Sequence, residues 1–224
     1  EPQLLNDKVL LIGSDPTFQP MEYVDGKGET VGYSVDLGKE IAKEMGVTYQ
    51  VKTIVWDDIF KALDNKEIDI IMSSVSITDE RKKKYDFSEP YLNAGQVILT
   101  QDKTTTITKP EDLKDKKVGA QKETTSIEQA RKYGALTVPY PDPDVAVKDL
   151  VKGDIDAVIA DLPAAKGYTD KNPTLKIASD PFTSEKYSSV FRKTETGLRD
   201  HVNQILTDLQ QKGVLADLKE KWLE

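Results

Sequence analysis

The most chemically pointed stretch of the chain is a row of small polar residues closed by one arginine, Ser73-Ser74-Val75-Ser76-Ile77-Thr78-Asp79-Glu80-Arg81. Thr78 suits a helix N-cap, and Asp79 and Glu80 suit a first turn, where the helix dipole favours anions. Arg81 is a cation where that dipole disfavours one. A bound anion resolves the conflict, because a guanidinium grips a carboxylate as a planar fork and serine hydroxyls or free backbone N–H groups complete the site. The competing reading is an ordinary salt bridge from Arg81 to Asp79, Glu80 or Asp86.

Other candidates carry similar pairs of readings. Thr125-Ser126-Ile127-Glu128 fits a capping box, with Thr125 as cap and Glu128 reaching back; the same helix start could also face an anion. Asp161 closes an apolar strand just before Pro163, so it either caps the next helix or receives an ammonium group. Asp15, between Ser14 and Pro16, either forms a turn or supplies a carboxylate to a ligand. Phe18 and Trp56 belong to the core or, beside that carboxylate, to a surface for a cationic or amphipathic group.

Signatures of catalysis are poor. Cysteine is absent, which removes thiol nucleophiles, thiolate metal sites and disulfides. The one histidine, His201, flanks the apolar stripe of a C-terminal helix, and no metal-ligand cluster, phosphate-binding glycine loop or nucleophile elbow is evident. No catalytic residue, metal or cofactor is expected. A net charge of −8 argues against nucleic acid, whose phosphates need a concentrated basic face. No stretch approaches the roughly 20 apolar residues that span a bilayer.

Periodicity shows what must position these residues. Val9–Ile12 reads as a buried strand; Leu37, Ile41 and Met45 recur at helical spacing before Gly46; Val47, Tyr49 and Val51 alternate as a strand. Asp57 can cap a helix carrying Ile59, Phe60 and Leu63, and the run Ile68 to Met72 follows as another strand. Such alternation predicts an α/β protein with a mainly parallel sheet covered on both faces. Phe60–Ser74 (FKALDNKEIDIIMSS) is then echoed by Val147–Asp161 (VKDLVKGDIDAVIAD), which implies two similar units. The second has a strand at Lys117–Ala120, a helix from about Thr125 to Tyr133 closed by Gly134, and a helix ending at Gly153. Asn93–Thr100 and Tyr187–Arg192 suit two extended passages between the units, hence a hinge. Leu198, Val202, Ile205 and Leu209 form one helical face beyond the second passage, Gly213 separates a last helix, and Trp222 suits an anchor on the first unit. In open α/β sheets ligands bind beyond the carboxyl ends of strands, where Ser14-Asp15, Ser73-Ser74 and Asp161 all fall.

Five motifs together resemble bacterial family 3 solute-binding proteins, the amino-acid receptors of ABC importers: VGYSVDL at 31–37, SITDER at 76–81, DFSEPY at 86–91, Glu111-Asp112-Leu113 with Val118-Gly119, and GDIDA at 153–157. The resemblance covers nearly the whole chain. It implies a two-lobed periplasmic-binding-protein (Venus flytrap) fold with two hinge strands, residues 1–93 and 190–224 forming one lobe and 94–189 the other. By position, it implies that Arg81 grips the ligand α-carboxylate with Ser76 and Thr125, and that Asp161 and the Ser74 carbonyl take the α-ammonium. Asp15 with Phe18, Trp56 and Ser73 resembles the pocket of receptors for arginine, lysine, ornithine or histidine; glutamine receptors are the rival within the family. The resemblance further implies a monomer that hands a free amino acid to ABC transporter membrane subunits, in a periplasm or lipid-anchored outside a Gram-positive cell. Glu123 departs from the glycine usual before the two threonines, which bears on how closely the Thr125 amide approaches a ligand. A rival of another class is a cyclohexadienyl-dehydratase-like enzyme, since some periplasmic dehydratases resemble this family; Asp161 with Glu123 would be its only suggestive acid pair.

Overall fold

The structure is a computed structural model that describes residue 5 and residues 8–121, 124–141 and 143–223. The chain forms two compact units: one runs to Asn93 and resumes at Lys186, the other spans Ala94–Glu185.

The first unit opens with β1 (Val9–Ser14), the short strands β2 (Thr17–Phe18), β3 (Glu22–Val24) and β4 (Thr30–Val31), then α1 (Tyr33–Met45) and β5 (Thr48–Thr53). It continues through α2 (Trp56–Asp64), β6 (Ile70–Ser76), α3 (Asp79–Lys84), β7 (Tyr85–Phe87) and β8 (Leu92–Asn93). The second unit holds β9 (Gln96–Gln101), a 3-10 turn at Pro110–Leu113, β10 (Lys117–Gln121), α4 (Thr125–Lys132), β11 (Leu136–Tyr140), α5 (Pro143–Lys152), β12 (Ala157–Asp161), α6 (Leu162–Lys171) and β13 (Leu175–Ile177). The chain then returns to the first unit as β14 (Lys186–Arg192), α7 (Thr196–Gln211) and α8 (Val214–Leu223).

Helix α1 forms where the sequence spacing predicts, burying Leu37 and Ile41, and it ends on Gly46, whose φ of 71° is the left-handed C-terminal geometry that glycine adopts without strain. Its entry is equally constrained. Gly32 has φ 135°, and a Cβ there would meet the Met21 carbonyl oxygen at 2.2 Å. Strands β1 and β6 together send apolar side chains to both faces of the first sheet: Ile12 of β1 reaches Gly38 of α1, while Ile71 and Val75 of β6 pack with Ile59 and Leu63 of α2. In the second unit Val118, Ala157 and Ile159 form the corresponding core with Ile98, Leu113 and Ala130.

The two main sheets have one plan. The first orders its strands β5-β1-β6-β14-β7, the second β11-β10-β12-β9-β13. In each, three strands are parallel, and the third of them, β6 or β12, pairs on its other side with an antiparallel strand. The sheets are thus mixed where the alternation of elements predicts mainly parallel ones. The antiparallel strand in each case, β14 or β9, arrives directly from the other unit, so its direction is set by the passage and not by a βαβ crossover. Both passages carry a backbone bond, Ala94 N–H to the Glu185 carbonyl at 2.7 Å. The return falls at Lys186, not at 190, because Lys186 and Tyr187 already pair with Asn93 and Leu92, and Tyr187 with Ser76. Within the extended passage expected at Asn93–Thr100, Gln96 begins the strand β9 (Gln96–Gln101) of the second sheet.

Helix α7 buries the expected stripe Leu198, Val202, Ile205 and Leu209, and His201 is exposed. Trp222 donates its indole N–H to Asp36 of α1 at 2.9 Å, and its ring meets Tyr23 edge-on, which ties α8 to the first unit. Among the described residues no helix is long and apolar enough to cross a membrane.

Candidate functional site

The candidate residues divide between the units. Asp15, Phe18, Trp56, Ser73, Ser74, Ser76 and Arg81 belong to the first, Thr125 and Asp161 to the second.

In the first unit most of them meet at the carboxyl ends of β1 and β6. The Asp15 backbone N–H donates to Ser73 Oγ at 2.9 Å, and Asp15 Oδ2 accepts the Trp56 backbone N–H at 2.8 Å. Asp15 therefore caps α2 from a distant loop. The expected cap, Asp57, lies inside the first turn instead, because the helix begins at Trp56 with Val55 in the cap position. Thr78 does cap α3, accepting the Arg81 N–H at 3.2 Å. The Arg81 guanidinium donates to the Ser76 carbonyl at 2.8 Å and lies 5.6 Å from the ring centres of both Trp56 and Phe60. Among the described residues no carboxylate pairs with it. Asp86, a candidate for that salt bridge, is bound by Arg199 at 2.7 Å. Phe18 stands apart from Trp56 and meets Tyr187 edge-on, with ring centres 6.5 Å apart.

One residue of this cluster has no local sequence signal. Glu22 on β3 is 1% exposed and accepts a bond from Ser74 Oγ at 3.1 Å. Burial pushes its carboxyl up to about 8, against the pull of serine hydroxyls that include Ser74; the neighbouring charge of Asp15 adds to the rise. Glu22 is thus a neutral acid at pH 7. Ser74 itself has φ 51°, a conformation non-glycine residues rarely adopt, where the pairing of β6 with β14 shifts register. Only the fold brings β3 beneath the end of β6, which is why spacing does not reveal Glu22.

In the second unit Thr125 is the first residue of α4 and not its cap. Thr124 holds the cap position, and its hydroxyl donates to the Gln121 carbonyl, so the expected Thr125–Glu128 capping box does not form. Thr125 Oγ1 instead accepts from Gln96 Nε2 at 2.7 Å. Asp161 occupies the cap position of α6, yet its side chain makes no capping bond. Burial, reinforced by the charge of Glu185, raises its carboxyl to about 6, so it is mostly ionised at pH 7. Glu123 lies outside the described residues. Among the described residues no cluster of ligating side chains could hold a metal ion.

A solute-receptor architecture is what this arrangement defines: two α/β units on one plan, each presenting polar groups where its third strand ends. Residues 10–224 match the family described as bacterial extracellular solute-binding proteins, family 3, and the chain belongs to that family. It is 36% identical to the L-cystine-binding protein TcyJ of Escherichia coli (strain K12) over 217 residues, covering 95% of this chain and 82% of the relative. It is 31% identical to the arginine-binding extracellular protein ArtP of Bacillus subtilis (strain 168), covering 96% and 86%. Among solved structures, the L-cystine solute receptor of Neisseria gonorrhoeae in its unliganded open conformation superposes with TM-score 0.88 at 25% identity, covering 98% of this chain and 94% of that one. An ancestral cyclohexadienyl dehydratase superposes with TM-score 0.83 at 29% identity, covering 96% and 92%.

Proposed function

We propose that this chain is the extracytoplasmic receptor of an amino-acid ABC importer and binds one free α-amino acid between its lobes. Arg81, Ser76 and Thr125 take the α-carboxylate; Asp161 and the Ser74 carbonyl take the α-ammonium. The observation that carries this reading is a pair of unspent opposite charges. The Arg81 guanidinium has no carboxylate partner among the described residues, and the Asp161 carboxylate declines the helix cap open to it. Leaving such groups unpaired costs folding energy, and a zwitterion offsets both costs at once. Binding is then a population shift: moving closure from 1:99 to 99:1 takes about 5.5 kcal/mol of differential affinity, within reach of two charge-assisted contacts and their neighbours.

For the ligand side chain we propose a cation, arginine first and then lysine, ornithine or histidine. Asp15, which accepts the Trp56 backbone N–H, supplies the carboxylate, with Ser73 bonded to its own backbone N–H and Phe18 and Trp56 as the aromatic residues of the same unit. ArtP is named for arginine, which supports this reading. TcyJ is named for cystine, which supports the rival, an amino acid with a polar distal group; glutamine is a third candidate. A dehydratase reading rests only on likeness of fold to one ancestral enzyme, and the curated relatives named above are binding proteins. Calorimetric titration with the twenty amino acids, ornithine and cystine decides the matter. Heat of binding with arginine and none with cystine or glutamine supports the cationic site; the reverse replaces it; silence with all of them ends the receptor reading.

A further inference from the structure

Gln96 is not among the residues that composition, spacing or family resemblance single out, yet it underlies both candidate groups of the second unit. It lies on β9, directly opposite Asp161 in antiparallel register, so the two side chains leave the sheet on the same face. It is 5% exposed, and its backbone is pinned on both sides: its N–H donates to Thr183 Oγ1 at 2.8 Å and its carbonyl accepts the Phe182 N–H at 2.9 Å. Gly95 beside it packs so closely that a Cβ would meet the Thr183 carbonyl oxygen at 1.8 Å. The side chain that this strand holds in place gives its amide hydrogen to Thr125 Oγ1 at 2.7 Å. Its own Oε1 is buried and has no hydrogen-bond partner among the described residues.

A hydroxyl has one hydrogen and two acceptor lone pairs. With Gln96 filling a lone pair of Thr125 Oγ1, the hydroxyl hydrogen is turned away from the glutamine and remains for another acceptor. The cap position does not use it, because Thr124 stands there and bonds the Gln121 carbonyl. We infer that Gln96 is a positioning residue that sets Thr125 as a hydrogen-bond donor to an anionic ligand group, a role that rests on the proposed carboxylate contact of Thr125. The unpartnered Oε1 is what this orientation of the amide entails: turning the amide over would bond that oxygen to the hydroxyl hydrogen and silence Thr125 as a donor.

The test is a double-mutant cycle read by calorimetry with L-arginine, L-glutamine and L-cystine as probes, using whichever the wild-type protein binds. Gln96→Met removes the donor at similar volume and is expected to weaken binding about tenfold in the wild-type background but less than about twofold in Thr125→Val, since nothing remains to be oriented. Gln96→Glu, when ionised, can only accept, so at a pH where it is ionised it captures the Thr125 hydrogen and is expected to cost more than Gln96→Met, with thermal unfolding still cooperative. A merely structural role predicts equal losses in both backgrounds, and that result overturns the inference, as does a Gln96→Glu protein that binds like wild type. Silence of the wild-type protein with the twenty amino acids, ornithine and cystine overturns the receptor reading and this inference with it; undiminished binding by Arg81→Ala overturns the carboxylate site on which the inference rests; loss in Arg81→Ala with additive Gln96 effects overturns this inference alone.

Discussion

Strands β6 and β12 hold the same place in two sheets of one plan, and they end in opposite chemistry. Each is the third parallel strand, flanked by a strand that has just arrived from the other unit. The last residues of β6 are rich in serine, and the chain runs on from them to a guanidinium lying against two aromatic rings; at the end of β12 stands a carboxylate at the mouth of a helix. The difference teaches that the scaffold supplies position and the last few residues supply charge. A duplicated unit can thereby present a cation and an anion at equivalent points, which is what the two poles of an amino acid require.

The largest effect on that complementarity should come from Arg81→Ala. Losing one partner of a desolvated charge pair costs about 3–5 kcal/mol, so affinity measured by calorimetry should fall roughly 150- to 5,000-fold while far-UV dichroism stays unchanged. Unchanged affinity breaks the comparison outright. Asp161→Asn should weaken binding by roughly 10- to 150-fold, as expected for a charge-assisted hydrogen bond. The same variant should melt higher than wild type by about a few degrees without ligand, because burial raises the Asp161 carboxyl to about 6 and the folded state bears the cost of ionising it. Calorimetry and a melting curve of the one variant thus separate function from stability.

Acidity sharpens the second half of the comparison. In the proposed site only ionised Asp161 would receive an ammonium group, and in the ligand-free protein it gains a proton below about pH 6, so affinity should be roughly tenfold weaker at pH 5 than at pH 7. A flat profile over that range removes Asp161 from the site. Glu22 acts on stability and not on ligand binding. Its carboxyl titrates near 4.5 when unfolded and near 8 when buried, so the folded state holds the proton more tightly and stability declines as pH rises from about 4.5 to 8. Denaturant titrations should show wild type losing at most ~1.4 kcal/mol per pH unit across that window, and Glu22→Gln losing less.

Local signals made much of this molecule legible. Gly46 and Gly213 stop helices because a left-handed residue ends the hydrogen-bond ladder, and the stripe from Leu198 to Leu209 buries one face because its period is that of a helix. The echo of Phe60–Ser74 in Val147–Asp161 likewise foretells two units, since α2 with β6 and α5 with β12 stand in equivalent places. Capping was less legible. Asp57 and Thr125 are sound caps by residue type, but a carboxylate from Asp15 and a neighbouring threonine at 124 hold those positions, and type alone cannot choose between adjacent or distant donors.

The sequence by itself determined the elements, their duplication and the chemical types at the strand ends, because each depends on residues a turn or two apart. Tertiary structure alone decided that Glu22 would be a neutral acid against Ser74, that Gln96 would lie opposite Asp161 and bond Thr125, and that β14 and β9 would run against their neighbours. Those outcomes depend on burial and on pairings between segments far apart in the chain, and neither periodicity nor residue type encodes which distant strand arrives alongside.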